Sequence, residues 1–159
     1  MSAAFRYRTV AVGGTFDHIH KGHRKLLEKA FQTGEKVYIG LTSDEFVRKS
    51  GKRIDHSFSQ RKKELQRYLS DTYPLGKYEI TKLEARFGPA IFTSEIEALV
   101  VSEETLPSVE AANSRRRELG LSELKVEIVP MILADDGDRI SSTRIRSREI
   151  DVEGHLLEK

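Results

Sequence analysis

The sequence predicts an α/β fold in which a doubly wound, five-stranded parallel sheet carries helices on both faces. Short apolar runs alternate with segments whose apolar residues recur at helical spacing, and glycine or proline stands at most of the junctions. Alternating strands and helices favour a parallel sheet covered on both sides. The length of 159 residues is that of one domain, so we expect a single domain over residues 1–159.

The first predicted unit is a strand, a helix and a second strand. Residues 7–12 form an apolar run that ends at Gly13 and Gly14, which indicates a buried strand followed by a tight turn. The helix begins near Gly22 and ends at Gly34, and residues 37–41 form the second strand. The apolar residues of this helix recur at helical spacing: Leu26, Leu27, Ala30 and Phe31.

The pattern then repeats to the end of the chain. Ser43 or Asp44 can cap a short helix. Further helices are predicted over residues 59–69, over 108–119 with Gly120 closing it, and from about residue 142. The remaining strands are predicted over residues 78–83, 98–101 and 124–129, the last ending at Pro130. In such a sheet a ligand binds outside the carboxyl ends of the strands, where the winding reverses.

The composition excludes several classes of protein. A formal net charge of +2 is too small for general binding to a polyanion, so no nucleic-acid partner is expected. No apolar stretch approaches the roughly 20 residues of a membrane span, and the first residues lack the apolar core of a secretory signal. The absence of cysteine excludes disulfides and thiolate chemistry and fits a cytoplasmic location.

The loop after the first strand carries the clearest functional signal. Two glycines let the backbone approach a ligand, and the N-terminus of the next helix offers free N–H groups to a phosphate. His20 and His23 lie three residues apart and share a helix face. They could ligate a metal, act as acid and base, or donate hydrogen bonds, and a single histidine there could equally be a cap or a solvated group. Whether they act as cations or as neutral donors is left open.

A second phosphate-binding pattern occurs near the end of the chain. Ser141, Ser142 and Thr143 place three hydroxyl groups at a predicted helix start. Ser142 and Arg146 are four residues apart, so a hydroxyl and a guanidinium can contact the same polyphosphate. An ordinary serine cap with surface arginines would have the same composition, and we expect Arg144 and Arg148 to be solvated.

These two segments resemble the signatures of a known superfamily. The sequence GTFDHIHKGH matches the GTFDxxHxGH motif of nucleotidyltransferases with a Rossmann-like fold, and residues 140–146, ISSTRIR, resemble their ISSTxxR motif. Both stand in the expected order and span almost the whole chain. The resemblance therefore supports the α/β fold and implies nucleotidyl transfer.

The middle of the chain resembles one family within this superfamily. Residues 41–46, residues 100–105 and the spacing of Asn113, Arg116 and Gly120 are similar to the archaeal phosphopantetheine adenylyltransferases and to the related domain of eukaryotic CoA synthase. The RTEGIST motif of cytidylyltransferases is absent, and GTFD differs from the GxFxPxHxGH form of nicotinamide mononucleotide adenylyltransferases. Arg139 stands where related sequences often carry lysine before ISST.

The resemblance implies that ATP and 4'-phosphopantetheine react to give dephospho-CoA and pyrophosphate in coenzyme A synthesis. It implies a divalent cation, Mg²⁺, as cofactor and favours a monomer. The implied catalytic residues are His20, His23, Lys52 and Arg146. The implied ATP-binding residues are Gly14, Thr15, Phe16, His23, Ser141, Ser142, Thr143 and Arg146. The implied acceptor-binding residues are Thr15, Lys52, Asn113 and Arg116.

Several basic and acidic residues are assigned from their position. A lysine of the loop around Gly51 faces the attacking phosphate in the family, and Lys52 is chosen, although a solvated loop lysine is the alternative. Arg116 extends the apolar stripe of its helix, whereas Arg115 and Arg117 are expected to be solvated. Arg61 and Lys63 are expected to be surface charges. The Asp135–Asp138 segment has the composition of a turn, and no residue is assigned as a metal ligand.

Two alternatives remain open at this point. A sister enzyme of the cytidylyltransferase, FAD synthetase or nicotinamide mononucleotide adenylyltransferase type would carry the same signature loops. A nucleotide-binding module without activity could also use this fold, because fold does not fix function. His20, His23, Ser142 and Arg146 are all present, which argues against the second alternative.

Overall fold

The computed structural model describes residues 5–85, 87–88 and 93–157. Its strands are β1 (Tyr7–Gly14), β2 (Gly34–Thr42), β3 (Lys77–Leu83), β4 (Ala98–Ser102) and β5 (Lys125–Val129). Its helices are α1 (Lys21–Thr33), α2 (Asp44–Lys49), α3 (Phe58–Thr72), α4 (Leu106–Glu118) and α5 (Ser142–Arg146). Every predicted element is present, with ends that differ by a few residues.

The five strands form one parallel sheet in the order β3-β2-β1-β4-β5. The chain moves outward from β1 to β3 and then returns to place β4 on the other side of β1. The winding therefore reverses between β1 and β4, and ligands of such sheets bind at the carboxyl ends of the strands beside that point. The predicted doubly wound fold is confirmed.

Two apolar cores cover the two faces of the sheet. Successive residues of β1 point to opposite faces, so Val10 and Val12 join one core and Ala11 joins the other. The first core contains residues of α1 and α3, among them Leu27 and Leu65, and the second contains Val109 of α4. Helices thus pack on both faces, as predicted.

The junction between α1 and β2 shows the largest difference between predicted and observed element ends in the first strand-helix-strand unit. Gly34 ends α1, because its N–H bonds the carbonyl of Ala30, and it is also the first residue of β2. A Cβ at this position would lie 2.6 Å from Cγ2 of Val10, so only glycine lets the strand begin here. The strand consequently starts three residues before the predicted position.

The C-terminal part of the chain forms a small cluster of its own. Ala134, Ile140 and Ile150 are buried together, with Ile145 of α5 packed against them. This cluster fixes α5 and the turn that precedes it. Within the ranges that the structure describes, none of the helices combines the length and the apolar composition that crossing a bilayer requires.

Candidate active site

The loop after β1 is shaped by an unusual backbone conformation. Phe16 has a φ of 49°, a left-handed value that is uncommon for any residue but glycine, and its side chain is only 1% exposed. Its ring lies against the ring of His23, with 4.8 Å between centroids. A Cβ at Gly14 would lie 3.0 Å from the same phenyl ring. Phe16 is therefore a core residue that supports His23, and its side chain is not open to a nucleotide.

His20 caps α1 with its side chain. Its Nδ1 accepts hydrogen bonds from the N–H groups of Gly22 at 3.0 Å and His23 at 3.3 Å. Because Nδ1 acts as an acceptor, the proton of the neutral ring is on Nε2, which has no hydrogen-bond partner among the residues that the structure describes. A Cβ at Gly22 would lie 2.9 Å from Cε1 of His20, which explains the glycine between the two histidines.

His23 has two competing partners for its own Nδ1. This atom lies 3.0 Å from the carbonyl oxygen of His18 and 3.3 Å from the backbone nitrogen of His20. Donation to His18 leaves a lone pair on Nε2, whereas acceptance from the His20 N–H leaves a proton there. An anion placed at Nε2 favours the second arrangement, since only a protonated nitrogen can donate to it.

The two imidazoles are stacked and uncharged. Their centroids are 3.7 Å apart with 18° between the ring planes. Burial, followed by the neighbouring His23, lowers the pKa of His20 from 6.5 to about 2. Burial lowers the pKa of His23 from 6.5 to about 4, despite the His18 carbonyl, which acts in the opposite direction. Burial therefore favours the neutral form of both rings at neutral pH.

The lowered pKa values predict a loss of stability on mild acidification. Unfolded histidines gain protons as the pH falls through 6.5, whereas folded His20 and His23 resist protonation down to about 2 and about 4. The free energy of unfolding should thus decrease between about pH 7 and pH 5. Urea unfolding across this range tests it. His20→Asn should show a shallower decrease, and equal slopes in both proteins would contradict the prediction.

Asp17 connects the histidine loop with two other segments. Its side chain is fully buried, and its Oδ1 accepts from N and Nδ1 of His56 at 3.0 and 3.1 Å. Its Oδ2 accepts from the backbone of Asp55 at 3.0 Å and from Nη1 of Arg146 at 2.7 Å. Burial alone would raise the pKa of Asp17, but the hydrogen bonds from Asp55, Arg146 and His56 lower it.

The ion pair between Asp17 and Arg146 brings the two sequence motifs together. Ser141 caps α5 by accepting from the backbone of Arg144 at 3.2 Å, and Nη2 of Arg146 bonds Oγ1 of Thr143 at 3.2 Å. The hydroxyl closest to Arg146 is thus that of Thr143 and not that of Ser142. Arg144 was expected to be solvated, but its side chain is only 15% exposed and pairs with Asp136.

Arg61 is the residue whose position differs most from the sequence-based expectation of a surface charge. Its side chain is fully buried and donates to three backbone carbonyls, those of Thr15 at 3.0 Å, Thr42 at 2.8 Å and His56 at 3.1 Å. It also bonds Asp44 at 2.8 Å. One guanidinium therefore ties together the ends of β1 and β2 and the start of α3. Its spacing of four from Leu65, on the buried side of α3, was the available signal.

Two cavities lie beside these loops. The smaller, of about 340 Å³, is lined by Asp44, Arg48, Lys52, Ile54, Asp55, His56 and Ser57. The larger, of about 570 Å³, is lined by residues that include Asp17, His18, His56, Lys63 and Arg67. Lys52, the lysine chosen from the sequence, thus faces a cavity, whereas Lys49 pairs with Glu45 at 3.3 Å.

Asn113 and Arg116 are not part of this group of residues. Asn113 bonds the backbone of Leu124, and Arg116 bonds the carbonyls of Ser122 and Thr93 at 2.8 Å each. These partners precede β5 and β4, so both side chains lie at the amino edge of the sheet, opposite the histidines. They connect the loops of that edge, and their placement argues against the predicted contact with the acceptor.

The fold and the site define a class of protein. The two motifs implied a histidine pair at the start of α1 and an arginine on the last helix, and the structure joins them through Asp17. Residues 11–148 match the family model described as cytidylyltransferase-like. The chain is therefore a nucleotidyltransferase domain.

Similar proteins narrow the class further. A phosphopantetheine adenylyltransferase of Methanothermobacter thermautotrophicus is 46% identical over 154 residues, which are 97% of this chain and 92% of the relative. One from Methanopyrus kandleri is 40% identical over 151 residues, 95% of this chain and 96% of that protein. The chain belongs to the phosphopantetheine adenylyltransferase family.

A solved structure supports the fold. The crystal structure of a protein described as having unknown function, from Archaeoglobus fulgidus, aligns with a TM-score of 0.69 and 34% sequence identity. The alignment covers 76% of this chain and 88% of that one.

Proposed function

We propose that this chain transfers the adenylyl group of ATP to 4'-phosphopantetheine and releases dephospho-CoA and pyrophosphate. The observation that carries the proposal is the 2.7 Å contact between Asp17 and Arg146, which joins the two motif segments at one edge of the sheet. The family of the chain supplies the identity of the acceptor. A cytidine nucleotide or another phosphorylated acceptor is the alternative.

The phosphates of ATP would bind between the start of α1 and α5. His20 offers the Nε2–H that its capping role leaves free, and His23 offers its own Nε2–H once Nδ1 accepts from the backbone of His20. Arg146 supplies the charge that neutral imidazoles lack. Its guanidinium can bond a phosphate with the groups not used by Asp17, since it carries five donors.

The acceptor phosphate would bind in the smaller cavity. Lys52 and Arg48 supply positive charge to that cavity, and His56 lines both it and the larger cavity beside the histidine loop. Thr15 follows β1 in the histidine loop, and its hydroxyl accepts from Thr42 at 2.9 Å. Its own proton is therefore available to an incoming phosphate oxygen.

The reaction then requires alignment more than chemical activation. An oxygen of the acceptor phosphate attacks the α-phosphorus of ATP, and the bond to the bridging oxygen of the leaving pyrophosphate breaks in line with it. The nucleophile is already an anion, so no general base is needed. Fixed donors aimed at the oxygens where charge accumulates stabilise the transition state without reorganisation.

We propose Mg²⁺ as the cation of this reaction. Mg²⁺ prefers oxygen ligands and retains water, so phosphate oxygens are its natural ligands in nucleotide sites. Asp17, the carboxylate beside Arg146, is grouped with the imidazoles of His18 and His56, which are not ligands that Mg²⁺ favours. The protein would therefore meet the metal through the phosphates, and the ion would neutralise the leaving pyrophosphate.

Pyrophosphate release with paired substrates tests the function. The purified chain is supplied with ATP or CTP, and with 4'-phosphopantetheine, nicotinamide mononucleotide, flavin mononucleotide or glycerol 3-phosphate. We expect turnover with ATP and 4'-phosphopantetheine and formation of dephospho-CoA. Turnover with another pair would support the same mechanism with a different nucleotide or acceptor. No pyrophosphate release with any pair would contradict the proposal that the chain is catalytic.

Removal of the Lys52 charge should weaken acceptor binding selectively. A charge-assisted hydrogen bond contributes about 1.5 to 3 kcal/mol, so Lys52→Met should raise the KM for 4'-phosphopantetheine by about 10- to 100-fold. The KM for ATP should stay unchanged. Lys49→Met is the matched control, since Lys49 pairs with Glu45 in the same segment. An equal effect of both substitutions, or none from Lys52→Met, would contradict this assignment.

Three further expectations stay predictions. These are the monomeric state, the cytoplasmic location and the single domain over residues 1–159. Size-exclusion chromatography with light scattering measures the first directly.

A further inference from the structure

Two Asp-His dipeptides face each other beside the histidine pair. Asp17 and His18 lie in the loop after β1, and Asp55 and His56 lie just before α3. Each histidine contacts the aspartate of the other dipeptide: Nε2 of His18 lies 2.8 Å from Oδ2 of Asp55, and Nδ1 of His56 lies 3.1 Å from Oδ1 of Asp17. The imidazole rings meet edge to face, with centroids 5.2 Å apart.

The spacing of these atoms suits a shared metal ion. One ligand atom from each of Asp17, His18 and His56 can be chosen so that all three lie within 4.8 Å of one another. Zinc bonds to imidazole nitrogen and carboxylate oxygen are about 2.0 to 2.2 Å long, so neighbouring tetrahedral ligands lie about 3.3 Å apart. Within this group, Nδ1 of His56 lies 3.1 Å from Oδ1 of Asp17, and Nε2 of His18 lies 3.9 Å from Oδ2 of Asp17, so the separations lie on either side of that value.

We propose that Asp17, His18 and His56 form a three-ligand binding site for a divalent transition metal of the Zn²⁺ class, with the remaining position open to water. Two imidazoles with a carboxylate select such ions, whereas Mg²⁺ prefers oxygen ligands alone. The site is therefore distinct from the Mg²⁺ that ATP would carry. Its existence does not depend on which acceptor the enzyme uses.

The surrounding groups accommodate the ion with small shifts. The ion replaces the hydrogen between His56 and Asp17, Nε2 of His18 exchanges its contact with Asp55 for the metal, and the proton of each neutral ring moves to its other nitrogen. Arg146 bonds Oδ2 of Asp17, so the metal uses Oδ1, which keeps the hydrogen bond from the backbone N–H of His56. The side chains of His18 and His56 are 22% and 43% exposed, which gives an ion access from solvent.

The position of the site gives the metal a defined structural effect. His56 and Asp55 line the cavity that Lys52 faces, and Asp17 and His18 belong to the loop that leads to His20. A bound ion would thus fasten the loop of the acceptor cavity to the loop of the histidine pair.

Calorimetric titration of Zn²⁺ into protein freed of metal by a chelator tests the site. We expect one ion per chain, and visible absorption from bound Co²⁺ in a parallel titration. His18→Ala and His56→Ala should each weaken binding by at least about tenfold, since each removes a direct ligand. Circular dichroism and thermal unfolding identify any variant that fails to fold, and binding by the His18→Ala and His56→Ala variants is then compared only between folded proteins.

His155→Ala is the matched control. His155 also pairs with an aspartate, Asp135, at 3.2 Å, but it lies in the C-terminal segment outside the cluster. The His155→Ala substitution should therefore leave the affinity for Zn²⁺ unchanged. Absence of binding in the unsubstituted protein, or an equal loss in all three variants, would overturn the proposal.

Discussion

Replacement of Arg61 by methionine should destabilise the protein strongly. The substitution removes the donors of three backbone carbonyls and takes the guanidinium away from Asp44, which keeps its backbone hydrogen bond from Phe58. Buried polar groups left without partners cost about 1 to 3 kcal/mol each, so we expect a loss of about 3 to 5 kcal/mol in the free energy of unfolding. Urea unfolding at neutral pH measures this quantity.

Arg67→Met provides the control for Arg61→Met. Arg67 is exposed on the same helix, and the identical substitution should change the free energy of unfolding by less than about 0.5 kcal/mol. Arg61→Lys should fall between the two, since an ammonium keeps the charge but cannot reproduce the planar fork. A similar stability for Arg61→Met and Arg67→Met would show that the carbonyls find other partners.

Replacement of His20 by asparagine should abolish most of the activity while the helix cap stays intact. The asparagine side-chain oxygen can accept from the N–H groups that Nδ1 of His20 now binds, and asparagine is a favoured cap. The substitution removes the Nε2–H. Loss of one donor to an accumulating negative charge lowers kcat by about 10²- to 10³-fold. Steady-state kinetics and urea unfolding on the same sample separate the two roles.

His20→Ala completes that comparison. It removes the cap as well as the donor, so it should lower the free energy of unfolding by about 1 kcal/mol and lower kcat to the same extent as His20→Asn. If His20→Asn kept full activity, the histidine would serve only as a cap. The phosphate contact would then have to come from other groups.

The fold could be predicted from the sequence because its patterns are local. The apolar run of β1, the stop at Gly34 and the Ser43 cap each specify an element from a few neighbouring residues. The alternation of strands and helices also predicts the parallel sheet, whereas the strand order, and with it the point where the winding reverses, comes from the structure. The ends of the elements were harder to predict, since β2 begins at Gly34, where it pairs with Tyr7 of β1, a residue distant in sequence.

The candidate site was predictable only in part, because several of its hydrogen bonds join residues that are distant in sequence. Motif spacing identified His20, His23 and Arg146, but the hydrogen bonds of Asp17 with residues 55 and 56 cross 38 and 39 positions of sequence. The charge of Arg61 predicts an exposed side chain, whereas its position on the apolar stripe of α3 predicts the buried one that the structure shows. Arg116 does lie on the buried stripe of α4, as predicted. Its side chain, however, bonds the carbonyls of Ser122 and Thr93 at the amino edge, away from the histidine loop.

The bonds of Asn113 and Arg116 lie at the opposite edge of the sheet from the histidine pair. They fasten the amino edge of the sheet, and the five residues of β4 put roughly 16 Å between that edge and the carboxyl edge. We therefore expect substitutions in the segment from Gly120 to Leu124 to change the free energy of unfolding more than turnover. For an engineer, that segment is the place to vary thermal tolerance at nearly constant kcat.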